Sequence, residues 1–136
     1  MSRTIDPELG DLVKNARAAA GRAYAPYSGF RVGAAILATN GKVFTGCNVE
    51  NASYALTVCA ERSAVLAAVG AGAREFKAIA VVGGRDEPAF PCGACLQVLA
   101  EFCGPDLDIL LVPIRKTRVP LRVKLKDLLP RSFALR

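Results

Sequence analysis

At 136 residues the chain suits one domain, 1–136, large enough to bury a core without disulfide staples. Hydrophobic content of 52% against 22% charged excludes a disordered chain, and no apolar run is long enough to span a membrane. The formal charge of +6 is lopsided: residues 1–113 carry 10 Lys/Arg and 11 Asp/Glu, whereas residues 114–136 carry 8 Lys/Arg and only Asp127. The opening residues Met1 to Glu8 lack the apolar centre of a signal peptide. The expectation is a cytoplasmic protein whose thiols stay reduced, so the five cysteines read as metal ligands or catalytic groups before bridges.

Asp6-Pro7 marks a helix start, Asp as cap and Pro in the first turn. Apolar residues follow at helical spacing from Leu9 to Ala23, and the helix should end before Pro26. Tyr27-Ser28-Gly29 is a turn. Phe30 to Ala38 is apolar on both alternating faces, which suits a strand covered on both sides. Asn40-Gly41 signals a two-residue hairpin, with Val43 to Cys47 as the returning strand and Asn48 to Tyr54 as a polar loop. A helix from about Cys59 to Ala71 is apolar nearly all round, which predicts burial and a subunit interface. A third strand is expected over Phe76–Val82, a third helix over Cys92–Cys103, and strands over Leu107–Val112 and Val119–Val123. Only six residues separate the last two strands, too few for a parallel crossover, so they pair antiparallel. Leu125–Leu129 closes as a short helix. The order α-β-β-α-β-α-β-β predicts a three-layer α-β-α sandwich with a mixed five-stranded sheet. The basic segment reads as an edge strand guarded by Lys and Arg. It lacks the interleaved aromatics of a single-strand binder, so no nucleic-acid or membrane partner is expected.

Two stretches carry chemistry: Val58-Cys59-Ala60-Glu61-Arg62 and Pro91-Cys92-Gly93-Ala94-Cys95. Each sits where a helix begins, and helix N-termini favour thiolates. Cys92 and Cys95, three apart, share one face of a first turn. Three sulfurs around Zn²⁺ would leave a fourth position for water, the mark of catalytic rather than structural zinc. Zinc lowers the pKa of bound water to about 7, and Glu61 stands two residues past a ligand, where it can accept the proton. Arg62 would offset thiolate charge. Two other readings stand beside this one: a redox Cys-x-x-Cys, and a closed structural site with Cys47 or Cys103 as fourth ligand.

Cys59-Ala60-Glu61 with Pro91-Cys92-Gly93-Ala94-Cys95 resembles the zinc signature of the cytidine deaminase superfamily. Three cysteines in a chain with no histidine resemble its small homotetrameric nucleoside deaminases. The likeness extends through Pro26 to Ala35, Gly46 to Tyr54, Leu128-Leu129-Pro130 and Phe133. It implies one Zn²⁺ per subunit on Cys59, Cys92 and Cys95, with Glu61 moving protons between water, ring N3 and the departing amino group. Phe30 would lie against the nucleoside, and Asn48 and Glu50 would hold the ribose 3′-hydroxyl. Ala60 would also bind substrate. Ala52 and Tyr54 would help bind the 5′-hydroxyl from a neighbouring subunit, and Phe133, also from a neighbour, would stack near the pyrimidine. The implied activity is cytidine and deoxycytidine deamination in pyrimidine salvage. A modified nucleoside such as blasticidin S is the near alternative, and a polynucleotide cytosine the remoter one. Leu96 stands where the family usually has arginine, Phe90 where serine is common, and Ala55 where glycine or proline is usual.

Overall fold

The computed structural model describes residues 7–115 and 119–135; Asp6, the expected helix cap, lies outside the described residues. Five strands form one sheet: β1 Val32–Ala38, β2 Val43–Cys47, β3 Phe76–Gly83, β4 Asp108–Val112 and β5 Leu121–Lys124, in the order β2-β1-β3-β4-β5. β1 is antiparallel to both β2 and β3, β3 and β4 are parallel, and β5 returns antiparallel along β4. The helices are α1 Pro7–Ala20, α2 Ala60–Gly70, α3 Gly93–Phe102 and α4 Leu125–Leu128. The architecture is the expected mixed five-stranded sheet with helices on both faces. No helix among the described residues is long and apolar enough to cross a membrane.

Two apolar layers hold it together. On one face Leu12 and Ala16 of α1 meet Ala35, Leu37, Ala80 and Val82. On the other, Ala64, Val65 and Leu99 of α2 and α3 meet Ala34, Ile36, Ile79 and Ile109. Strands covered on both faces carry near-continuous apolar runs, as β1 does throughout, β3 does after Lys77 and β4 does after Asp108.

Several boundaries differ from expectation, each for a local reason. α1 stops at Ala20 because the bonds over residues 21–23 tighten to the third residue back. β1 starts at Val32 rather than Phe30, because the Asn48 side chain occupies the backbone there: its Oδ1 accepts from Val32 N–H at 2.8 Å and its Nδ2 donates to Phe30 C=O at 2.7 Å. The hairpin after β1 has a three-residue loop, Thr39 to Gly41, instead of the two-residue turn. Asn40 does not take positive φ, so a turn closed by Gly41 N–H on Ala38 C=O is followed by Gly41 at φ 91°. β5 begins after Pro120, which has no N–H to give the ladder.

Both crossovers are present, but the first is split. β2 and β3 run the same way with β1 between them, so α2 passes over β1. Two glycines permit such close covering. A Cβ on Gly33 would stand 2.1 Å from Ala16 O of α1, and one on Gly46 would stand 2.4 Å from Ala64 N of α2.

At the basic edge Asp108 receives Arg122 at 2.8 Å and Lys124 at 2.9 Å, and Lys126 meets Asp106 at 3.0 Å. Burial works to raise the Asp108 pKa, but hydrogen bonds and charge from Arg122 and Lys124 win and hold it below 3.8.

Gly46→Ala should therefore lift α2 from the sheet and destabilise the fold by about 3 kcal/mol or more. Gly10→Ala, with nothing within 4 Å of the added carbon, should stabilise α1 by about 0.5–1 kcal/mol. Thermal denaturation of the two variants checks both. Asp108→Asn should cost about 1 kcal/mol at neutral pH. Because the native pKa is depressed, that difference is present above the unfolded value and should fade as pH falls through the native one.

Candidate metal centre

The two helices over the same sheet face begin at the same edge. β2 and β3 are parallel, so the loops leaving their C-terminal ends, 48–59 and 84–92, deliver α2 and α3 side by side. Cys59 is the residue before the first turn of α2, and Cys92 holds the same place on α3; both have extended backbone and neither sulfur caps its own helix. Cys95 follows inside the first turn of α3.

The three sulfurs converge. Cys59 and Cys92 Sγ are 4.0 Å apart, Cys92 and Cys95 Sγ 3.5 Å, and all three lie within 4.8 Å of one another. Tetrahedral zinc with bonds of about 2.3 Å would place its sulfurs about 3.8 Å apart. Among the described residues no fourth sulfur, carboxylate or imidazole joins the group. Cys47 Sγ lies 3.6 Å from Arg22 O, and Cys103 ends α3, about 12 Å along the helix from Cys95. Burial pushes the Cys103 thiol up to about 12, as befits a small apolar side chain. The expected three-sulfur group is thus assembled, and the closed four-cysteine alternative is not.

Charge around the sulfurs fits a cation. Burial, then the negative charges of Glu61 and Cys59, raise the Cys95 thiol far above its usual range. Burial also works against the Cys92 thiolate, yet hydrogen bonds from the Cys95 amide and thiol, the Cys59 thiol and the Ala94 amide bring it below 9.0. Arg62 turns inward, with Nη2 3.4 Å from Cys59 Sγ, while its Nε is buried without a hydrogen-bond partner. A guanidinium so placed needs negative sulfur beside it. Thiolates that a divalent ion neutralises meet that need, so the residues present fit zinc.

Glu61 is buried at 5% exposure on the first turn of α2, outside the close sulfur group but near enough to act on Cys95. Burial raises its carboxyl above 4.5, against the opposing pull of its own backbone N–H and of Arg62. Ala60, the first residue of α2, is fully buried in the core.

The loop after β2 carries the other expected positions. Asn48 is 8% exposed and pins the entry of β1, as described above. Glu50 accepts from Tyr27 N–H at 2.9 Å, from Ser28 N–H at 3.1 Å and from the Ser28 hydroxyl. The Ser28 hydroxyl, followed by the two amides, holds the Glu50 carboxyl below 4.5 although solvent reaches it. Tyr54 meets Tyr27 edge-on with centroids 6.2 Å apart, and the two line a cavity of about 350 Å³ with Ser28, Glu50 and Thr57. Phe30, 47% exposed, is outside the core; Ala52 is exposed in the loop; Phe133 is 69% exposed near the other end of the chain. Leu96 packs in the core, 6% exposed. Asn51 shapes the loop, its Oδ1 accepting from Ser53 N–H.

Ser28 and Gln97 escaped the sequence reading. Ser28 looked like a turn residue, and its partner Glu50 is 22 positions away. Gln97 falls inside the helix expected over Cys92–Cys103 with nothing to single it out, yet its amide grips the backbone of Phe133. No local pattern marks either pairing.

Residues 8–110 match the family model described as the cytidine and deoxycytidylate deaminase zinc-binding region. A cytidine deaminase of Mycobacterium tuberculosis is 48% identical over 130 residues, covering 96% of this chain and 92% of its own. One from Halalkalibacterium halodurans is 47% identical over 122 residues, covering 90% and 91%. The crystal structure of cytidine deaminase from Burkholderia pseudomallei superposes with a TM-score of 0.85 at 50% identity, covering 91% of this chain and 98% of that one.

Elemental analysis should find one zinc per chain. Cys95→Ala should lose it, while Cys103→Ala should keep it. Arg62→Gln should weaken zinc binding about 10–100-fold in competition with a chromophoric chelator.

Proposed function

The chain belongs to the cytidine and deoxycytidylate deaminase zinc-binding family, and on that premise we propose that it hydrolyses cytidine and deoxycytidine to uridine and deoxyuridine with release of ammonia. The observation that carries this reading is a buried carboxyl, Glu61, beside three sulfurs that have no fourth described ligand. A bound zinc ion would supply Lewis acidity that makes water a nucleophile near neutral pH. Glu61 would take a proton from the water and give it to ring N3. It would then pass the second to the amino group on C4. The C4–O bond forms, the C4–N bond breaks, and the two hydrogens of water end on N3 and on ammonia. Burial suits this work, because it raises the carboxyl's proton affinity toward the pH at which it must both accept and donate.

Phe30 would lie against the base, with Ala60 bordering it beneath. Glu50 is the stronger candidate for the ribose 3′-hydroxyl. Its carboxylate is held in place by Ser28 and Tyr27, and a carboxylate offers about four acceptor sites, of which three are taken. Asn48 retains one N–H and one lone pair for the sugar after bridging Phe30 and Val32. A 3′-phosphate would meet the charge of Glu50, which favours a free nucleoside over a polynucleotide.

One chain, 1–136, would form one deaminase-like unit, and four such units would share their sites. The support is apolar surface left open. Leu66 on α2 is 61% exposed, Tyr54 74%, Phe133 69% and Leu135 93%. Ala52, Tyr54 and Phe133 would reach neighbouring sites from such an assembly. The place of action would be the cytoplasm and the role pyrimidine salvage.

Ultraviolet absorbance of cytidine should fall in the presence of the protein, stop falling with a zinc chelator and resume when zinc is restored. Glu61→Gln should keep zinc and fold while turnover drops about 10²–10⁴-fold or more; unchanged turnover would overturn the mechanism. Activity on blasticidin S alone would overturn the substrate. Light scattering of active protein should show a tetramer, and a monomer would contradict the shared site.

A further inference from the structure

Residues 131–135 lie in neither helix nor strand and are all exposed. Among the described residues, hydrogen bonds tie this segment to the rest at one point. Gln97 Nε2 donates to Phe133 C=O at 2.9 Å, and Gln97 Oε1 accepts from Phe133 N–H at 3.2 Å. A side-chain amide thus pairs with both polar groups of one residue, as a neighbouring strand would. Gln97 sits on α3 two residues past Cys95, so the pairing anchors Phe133 to the helix that carries two of the three sulfurs. The Phe133 ring is left outward, 69% exposed.

We propose that Gln97 is the positioning residue for Phe133: it fixes the backbone of a segment that has no other hydrogen bond to the rest among the described residues, so that the ring is presented, at low entropic cost, to the nucleoside site of an adjoining copy. This rests on the reading that Phe133 stacks on substrate. The physical reason is ordering. A ring on a free segment must be immobilised each time substrate binds, whereas one already held by two hydrogen bonds has lost that freedom beforehand. Because the ring does not touch the reacting atoms, its loss weakens ground state and transition state alike. The effect belongs in KM.

The test uses four variants of the zinc-loaded protein. Gln97→Met keeps length and helix preference but removes both hydrogen bonds. Gln97→Glu keeps an acceptor for Phe133 N–H but sets an oxygen against Phe133 C=O. Both should raise KM for cytidine about 10-fold while kcat stays within about twofold and zinc stays at one per chain. Phe133→Ala should raise KM as much, and the double variant Gln97→Met with Phe133→Ala should be no worse than Phe133→Ala alone. If Phe133→Ala raises KM and neither Gln97 variant does, the positioning role falls and the stacking role stands. If Phe133→Ala leaves KM unchanged, the stacking role falls and takes this one with it. Multiplying effects in the double variant, or loss of zinc in the Gln97 variants, would show that Gln97 acts elsewhere and would overturn the proposal. Gln97→Glu decides the matter if Gln97→Met fails to fold.

Discussion

Three sulfurs within 4.8 Å of one another form an arrangement that bare thiols would not favour, and much of this molecule is organised around keeping them there. Burial, and then the negative charges of Glu61 and Cys59, push Cys95 high, and Cys92 is brought down against burial only by its neighbours' hydrogen bonds. A divalent cation removes the conflict by replacing three mutual repulsions with three attractions. The protein contributes the rest from its backbone. Two helices begin at the cluster, and the unpaired N–H groups at a helix start carry about half a positive charge each.

Bringing two helix starts to one point is a problem of topology. β2 and β3 must run the same way, so that the chain leaves both at the same sheet edge, and α2 and α3 must cover the same face. β1, running the other way between them, brings its own beginning to that edge. Phe30 just before β1, Asn48 and Glu50 just after β2, and Cys59 and Cys92 at the starts of α2 and α3 come from separate stretches of the chain, yet all lie in the segments that enter or leave the sheet at that edge. Helix α2 can lie low enough over β2 only because Gly46 has no side chain. The glycine and the metal ligands are thus parts of one device.

This explains what could be read from the chain and what could not. Periodicity and breakers are local, so the helices and strands were legible to within a residue or three, and the antiparallel last pair followed from a short connection. The metal ligands were legible because cysteine beside glutamate at one helix start, and a Cys-x-x-Cys at another, announce their chemistry locally. The insertion of β1 between β2 and β3 was not legible, since hairpin and crossover are each satisfied by either neighbour. Nor were the contacts of Asn48 with Phe30 and Val32, of Ser28 with Glu50, or of Gln97 with Phe133. These are side chains reaching backbone or each other across 16 to 36 positions, and nothing in the flanking residues specifies them.

Leu96 shows how such geometry changes the meaning of a sequence departure. A leucine where relatives of this pattern usually carry arginine looks like a lost positive charge at the sulfurs. Leu96 instead fills the core between α3 and the sheet, 6% exposed, and Arg62 alone among the described cations puts its guanidinium on a sulfur. Three thiolates on a divalent ion leave one net negative charge. Arg62 and the two helix starts together oppose it with about two positive ones, so the centre does not depend on a second arginine. What the leucine supplies is apolar burial at the start of the helix that bears Cys92 and Cys95. The leucine therefore exchanges charge for apolar packing one residue past Cys95.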